Sequence, residues 1–124
     1  MAAPNIVNVS TITGVTTFVS GISTLTPTII ISNAAASNSV LKLNTVMAAN
    51  RTASTAIITL KIFDGAAGAG SSVSIGSSIS VPSGSTLILI GKDSPIYIEE
   101  NRSIGIIGIT TSAFDVTASY EAIS

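Results

Sequence analysis

The chain has no histidine and no cysteine. Without histidine, both the usual general base at neutral pH and the commonest metal ligand are missing. Without cysteine there is no thiolate nucleophile, no disulfide and no thiolate zinc site, and nothing records the redox compartment. Charge is the next shortage: Asp, Glu, Lys and Arg make up 9% of residues, against about 25% in ordinary soluble domains. The five basic residues, Lys42, Arg51, Lys61, Lys92 and Arg102, are scattered and the net charge is −1. No basic patch for nucleic acid is therefore written into the chain. Mean hydropathy is +0.68, yet no run approaches the roughly 20 apolar residues of a membrane-spanning helix. The opening Met1-Ala2-Ala3-Pro4-Asn5 lacks the basic start and apolar stretch of a secretory signal. These shortages argue against an enzyme, a metal or cofactor site, a nucleic-acid partner and a membrane.

What the chain has in abundance is β-branched side chains: 20 Ile, 15 Thr and 9 Val, or 44 of 124 residues. Such side chains are stiff at the first torsion and suit a pleated surface better than a helix. A length of 124 residues fits one domain, residues 1–124, burying about two-thirds of its unfolded surface. Twenty serines and the threonines stand where charge would normally be. A surface of hydroxyls and small apolar groups resists association poorly. The expectation is a surface covered by neighbours in an assembly.

Residues 1–12 read as an extended N-terminal arm, with one or two short strands up to residue 20. Pro4 and the small residues around it suit a segment reaching over a neighbour, which makes Pro4, Asn5 and Ile6 contact candidates. Thr24–Ser32 is a strand marked by Pro27 as an edge or a strand start, and residues 33–39 form a polar loop. Val40–Asn50 and Thr55–Phe63, with a five-residue link, read as a hairpin. Asp64–Gly70, with three glycines, is expected to be a mobile hairpin loop. Val73, Ile75, Ile79 and Val81 alternate with serines, and Gly76-Ser77 interrupts them as a bulge or turn would. Pro82–Ser85 is a turn, and the apolar run Thr86–Ile90 reads as a strand buried on both faces. Ile96–Ile98 leads through the charged turn Glu99–Arg102 into an isoleucine strand. A tight connection near Ser112-Ala113 then delivers a closing strand in which Phe114, Val116, Ala118, Tyr120 and Ala122 share one face. Seven to nine short strands with negligible helix predict a two-sheet antiparallel β-sandwich, jelly-roll or immunoglobulin-like.

Few residues invite chemistry. Glu99 and Glu100 are adjacent, with Arg102 as local counter-ion, and read as a solvated turn or an inter-subunit contact. Asp64 and Asp93 lack the dense carboxylate spacing of a calcium site. Gly65–Gly70 lacks the Lys-Ser/Thr ending of a phosphate loop. Tyr97 and Tyr120 read as core-edge residues, or together as a sugar-stacking platform.

Three stretches carry a resemblance: the opening M-A-A-P-N-I-V-N-V, the block S-P-I-Y-I-E-E-N-R-S-I, and the ending S-Y-E-A-I-S. Between them the order also fits, with an S-N-A-A-A-S loop, a glycine-alanine hairpin and I-S-V-P-S-G before an apolar strand. The chain resembles small structural proteins of marine tailed bacteriophages, especially those infecting cyanobacteria. That resemblance implies a virion component with a β-sandwich fold, no cofactor and no catalytic role. The expected function is a capsid decoration or cement subunit that stabilises the phage head. It would be a homo-oligomer, a trimer if it follows the threefold sites of a capsid, bound to the major capsid protein or other virion proteins after assembly in the host cytoplasm. The alternatives are a neck, tail or fibre-base component, or a host-surface carbohydrate-binding module.

Overall fold

The computed structural model describes residues 9–22, 24–108 and 113–124. Nine strands form among them: β1 (Ile12–Ile22), β2 (Thr24–Asn33), β3 (Val40–Asn50), β4 (Ala56–Phe63), β5 (Ser72–Val81), β6 (Thr86–Ile90), β7 (Ile96–Ile98), β8 (Arg102–Gly108) and β9 (Phe114–Ile123). The one helical segment among the described residues is a single 3-10 turn, Ala66–Gly68. The abundance of Ile, Val and Thr has its outcome here, in a two-sheet antiparallel β-sandwich.

One sheet runs β1-β9-β3, with β6 and β7 placed end to end along the far side of β3; the other runs β2-β8-β4-β5. The pairings nest: β4 with β5, β3 with β6 and β7, β2 with β8, β1 with β9. This is one long hairpin rolled on itself, with β9 set beside β3 and β8 beside β4. A sandwich wound this way is a jelly roll. The immunoglobulin-like arrangement, which pairs its first two strands within one sheet, does not describe it, because β1 and β2 lie in opposite sheets.

Alternation builds the core. Ile58 and Leu60 of β4, Ile104 and Ile106 of β8, and Phe114, Val116 and Ala118 of β9 all point inward and are buried. In β3 the inward residues are Leu41 and Leu43, then Val46 and Ala48. The change of phase follows from a bulge between Leu43 and Thr45, where one extra residue re-aims the strand. The interruption expected at Gly76-Ser77 is also a bulge: Ser78 takes a positive φ of 50°, and its N–H donates to Thr59 Oγ1 at 2.9 Å.

Several local expectations are overturned. β3 and β4 are not a hairpin, since their link crosses from one sheet to the other. Asn50, 2% exposed, secures that crossing by donating from Nδ2 to the carbonyls of Ser54 (2.9 Å) and Val81 (2.8 Å). Nor do β8 and β9 close the fold as a pair; each is an inner strand of a different sheet. Thr86–Ile90 is an edge strand with Ile88 61% exposed, not a strand buried on both faces. The glycine-rich loop is fastened rather than mobile. Ser103 Oγ donates to Gly65 O (2.7 Å) and accepts from Gly68 N (2.8 Å), while Ser32 Oγ accepts from Ala67 N (2.9 Å). The loop thereby lies over the outer side of β8 and β2.

Candidate functional site

The two outer faces of the sandwich differ. On the β2-β8-β4-β5 sheet, the fastened loop covers part of the surface, and Phe63, Ile29 and Pro27 close over Gly105, where an added Cβ would stand 2.8 Å from the Phe63 ring. The β1-β9-β3-β6/β7 sheet has no such cover among the described residues, and its outward residues can be read off the register row by row.

Phe18, Thr117, Met47 and Ile88 stand side by side across four strands. Phe18 is 78% exposed and Ile88 61% exposed, so an apolar row ends on a large open side chain at each edge. Next comes a hydroxyl row of Thr16, Ser119 and Thr45, then Gly14, Glu121, Lys42 and Tyr97. Lys42 faces Glu121 in register, an arrangement of opposite charges that supports the sheet by a few tenths of a kcal/mol. Beyond the apolar row, Asp115 sits beside Ala49. Its Oδ1 accepts from Ser20 Oγ (2.8 Å) and Gly21 N (3.2 Å), and Arg51 Nη1 lies 3.3 Å away. The Ser20 hydroxyl holds the Asp115 carboxyl below its ordinary value; burial opposes this, and the Gly21 N–H and the Arg51 charge add to it. The ionised groups flanking the apolar row thus stand beside groups of opposite sign, and the face between them is hydroxyl and hydrocarbon.

Of the contact candidates read from sequence, Pro4, Asn5 and Ile6 lie outside the described residues. The described end of the expected arm is tied down, since Ser10 N and Thr11 N donate to Ser124 O and Ser124 N donates to Thr11 O. Glu99 and Glu100 lie between β7 and β8, and Arg102 opens β8 beside them. Arg102 Nη2 is 3.8 Å from Glu99 Oε2 with both side chains exposed. Glu100 Oε2 accepts from Asn38 N at 2.7 Å, so this carboxylate braces the loop after β2; its Oε1 is shielded without a partner. Asn101 takes a positive φ of 59° and its Oδ1 accepts from Ala66 N at 3.2 Å. Much of the turn's polarity is spent on neighbouring loops. Beside it, Ile62, Phe63, Asp64, Val73 and Arg102 line an open depression of about 200 Å³, smaller than the roughly 300–1,000 Å³ of small-molecule sites.

Tyr97 and Tyr120 do not form one platform. Tyr97, 45% exposed, is outward beside Lys42, whereas Tyr120 packs against the core from the inner face. Among the described residues no three His, Cys, Asp or Glu side chains gather as metal ligands, and no helix is long and apolar enough to cross a membrane. The apolar row was missed at the sequence level although a signal existed. Val15, Thr17 and Val19 alternate inward, which places Phe18 outward.

No family model matches the chain, and no curated protein does. Among solved structures, a chain of the Bacillus endospore appendages, which form disulfide-linked pili, matches with a TM-score of 0.56 at 15% sequence identity, over 92% of this chain and 88% of that one. At that identity the likeness speaks for the fold: this chain shares its overall β architecture with a pilus protein.

Proposed function

We propose that the chain is a non-enzymatic structural subunit of a phage particle, a capsid decoration or cement protein that lays its five-stranded sheet against the major capsid protein. The observation that carries this reading is the outward row Phe18-Thr117-Met47-Ile88, flanked by the Arg51–Asp115 ion pair on one side and by Lys42 in register with Glu121 on the other. Burying Phe18 and Ile88 is worth roughly 1.5–3 kcal/mol each, repeated at every subunit around a head. A charge with a partner of opposite sign costs less to bury than one left without a partner. The sequence resemblance to virion proteins supplies the choice of assembly. The test uses purified heads of the encoding phage stripped of the protein. Phe18→Asp and Ile88→Asp, with unchanged melting temperature, should each weaken rebinding at least tenfold, which corresponds to about 1.4 kcal/mol. Undiminished rebinding, or absence of the protein from heads with presence on tails, overturns it in favour of a neck or tail component.

A filament subunit is the second reading, favoured by the architecture shared with a pilus protein. Any such filament would hold without disulfides, because the chain has no cysteine. Polymers of the purified chain in negative-stain micrographs would favour it.

A further inference from the structure

A free strand edge is a row of unpaired N–H and C=O groups that templates pairing with another chain, and β proteins usually blunt it. Among the described residues this sandwich has four edges: β1, β2, β5 and the β6–β7 line. Three carry a defence. β2 holds Pro27 and shifts register twice along β8. β5 is bent by the bulge at Ser78. β6 and β7 are five and three residues long, with Pro95 between them. β1 has none of these along most of its length. From Ile12 opposite Ile123 to Val19 opposite Val116 it keeps unbroken register with β9, and it contains no charged residue and no proline. It also presents two large outward apolar side chains, Ile12 (57% exposed) and Phe18 (78% exposed).

We propose that β1 pairs antiparallel with β1 of a second copy about a two-fold axis at Val15, joining two five-stranded sheets into one continuous sheet. The axis follows from the positions of the two apolar side chains. Centred on Val15, the pairing sets Phe18 opposite Ile12 of the second copy and Ile12 opposite its Phe18, so both gain an apolar cross-strand neighbour. Between them Thr16 meets Gly14, around which an added Cβ would touch nothing. Centred on Thr16 instead, the pairing sets Phe18 against Gly14 and Ile12 against Ser20. Centred on Gly14, it sets Phe18 against Ser10 and Ile12 against Thr16. A one-residue slip would place outward residues opposite inward ones. Any isologous contact brings a patch against its own copy, and a strand without charge meets no like charge there. The contact does not rest on the virion reading, since it concerns the protein free in solution.

The test measures the mass of the full chain in solution by light scattering after size exclusion, and then its cross-linking. The wild type should have twice the 12.4 kDa chain mass, and Thr16→Lys, a charge on the exposed side next to the axis, should raise the dimer dissociation constant at least tenfold. Because the chain is free of cysteine, I12C/F18C supplies a clean register probe even if Thr16→Lys folds poorly. Oxidation should link two copies of the double variant. F18C alone should not link, because its two copies stand six residues apart along the strand, about 20 Å. A monomer at all concentrations overturns the proposal, as does a dimer or trimer untouched by Thr16→Lys and not linked through I12C/F18C. A monomer that dimerises only after removal of residues 1–8 also overturns it, in favour of the chain's own N-terminus on this edge. These outcomes need no phage head, so they separate from failure of the decoration reading.

Discussion

Asp115 joins three pieces of chain that are far apart in sequence. From β9 it accepts from Ser20 and Gly21 of β1 and meets Arg51 after β3. Gly21 has a φ of 67° at the register break of β1 between Val19 and Ile22, so the carboxylate fixes a bulge that needs a residue without Cβ. Asp115 and Arg51 are about half exposed, at 49% and 51% for their side chains, and water screens the pair, which limits it to about 1 kcal/mol. The sign follows from the depressed carboxyl. Its stabilisation is present above the ordinary value of 3.8 and is lost as pH falls through the lower folded-state value. Asp115→Asn should therefore melt below wild type at pH 7, with the difference shrinking as pH falls below 3.8. Paired thermal melts from pH 7 downward check it, and a difference that does not shrink below 3.8 would show that the carboxylate charge is not the cause. Molar salt should shrink the Arg51 part and leave the Ser20 hydrogen bond.

At the scale of elements, one hydroxyl makes two of the hydrogen bonds that fasten the loop between β4 and β5. Ser103 is fully buried and both donates to and accepts from the loop backbone. Ser103→Ala would leave the Gly65 carbonyl and the Gly68 N–H unpaired, at a cost of about 1–3 kcal/mol. Hydrogen exchange at Gly68 should rise sharply while exchange in β3 and β9 changes little, because the loop touches only the outer side of the other sheet. Much of the strand content was legible. Alternation placed Phe114, Val116 and Ala118 inward, and the Gly76-Ser77 interruption marked a bulge, because both signals are local. Partnership was not. Arg51–Thr55 has the length of a hairpin link, but whether the next strand folds back in its own sheet or crosses to the facing one depends on tertiary packing. The glycine-rich loop misled for a similar reason. Its glycines permit close approach to β8 and β2, and the hydroxyls that hold it, Ser32 and Ser103, come from distant strands. Thr86–Ile90 reads the same whether its outward Ile88 meets the core or an unoccupied face, so an apolar run on an exposed edge imitates a buried strand. The contact candidates taken from charge fell on a turn that braces its own loops, whereas the open face is made of side chains that also suit a core.

For the whole molecule, nesting decides the order in which contacts can form. β4 and β5 pair across a short loop, β3 must then find β6 and β7, β2 must find β8, and last Ile12 must find Ile123. Each outer pair closes a longer loop unless the inner ones are already formed, and closure entropy grows with loop length. Jelly-roll wrapping therefore favours growth outward from β4–β5 and folding in the range of milliseconds to seconds. Two conservative truncations at buried positions separate the inner and outer layers. Ile58→Val in β4 and Ile123→Val in β9 remove one methylene each and should cost about 0.5–1.5 kcal/mol. If the inner hairpin is built in the transition state, Ile58→Val should slow folding with little change in unfolding, and Ile123→Val should speed unfolding with little change in folding. Stopped-flow chevrons in urea at low protein concentration, with the β1 edge kept monomeric by Thr16→Lys, measure both arms. The reverse pattern would mean that the termini zip first, with β9 set beside β1 and β3 before the inner hairpin closes. That order would place the β1 edge among the earliest structured elements, exposed to a second copy while the rest of the sandwich is still open.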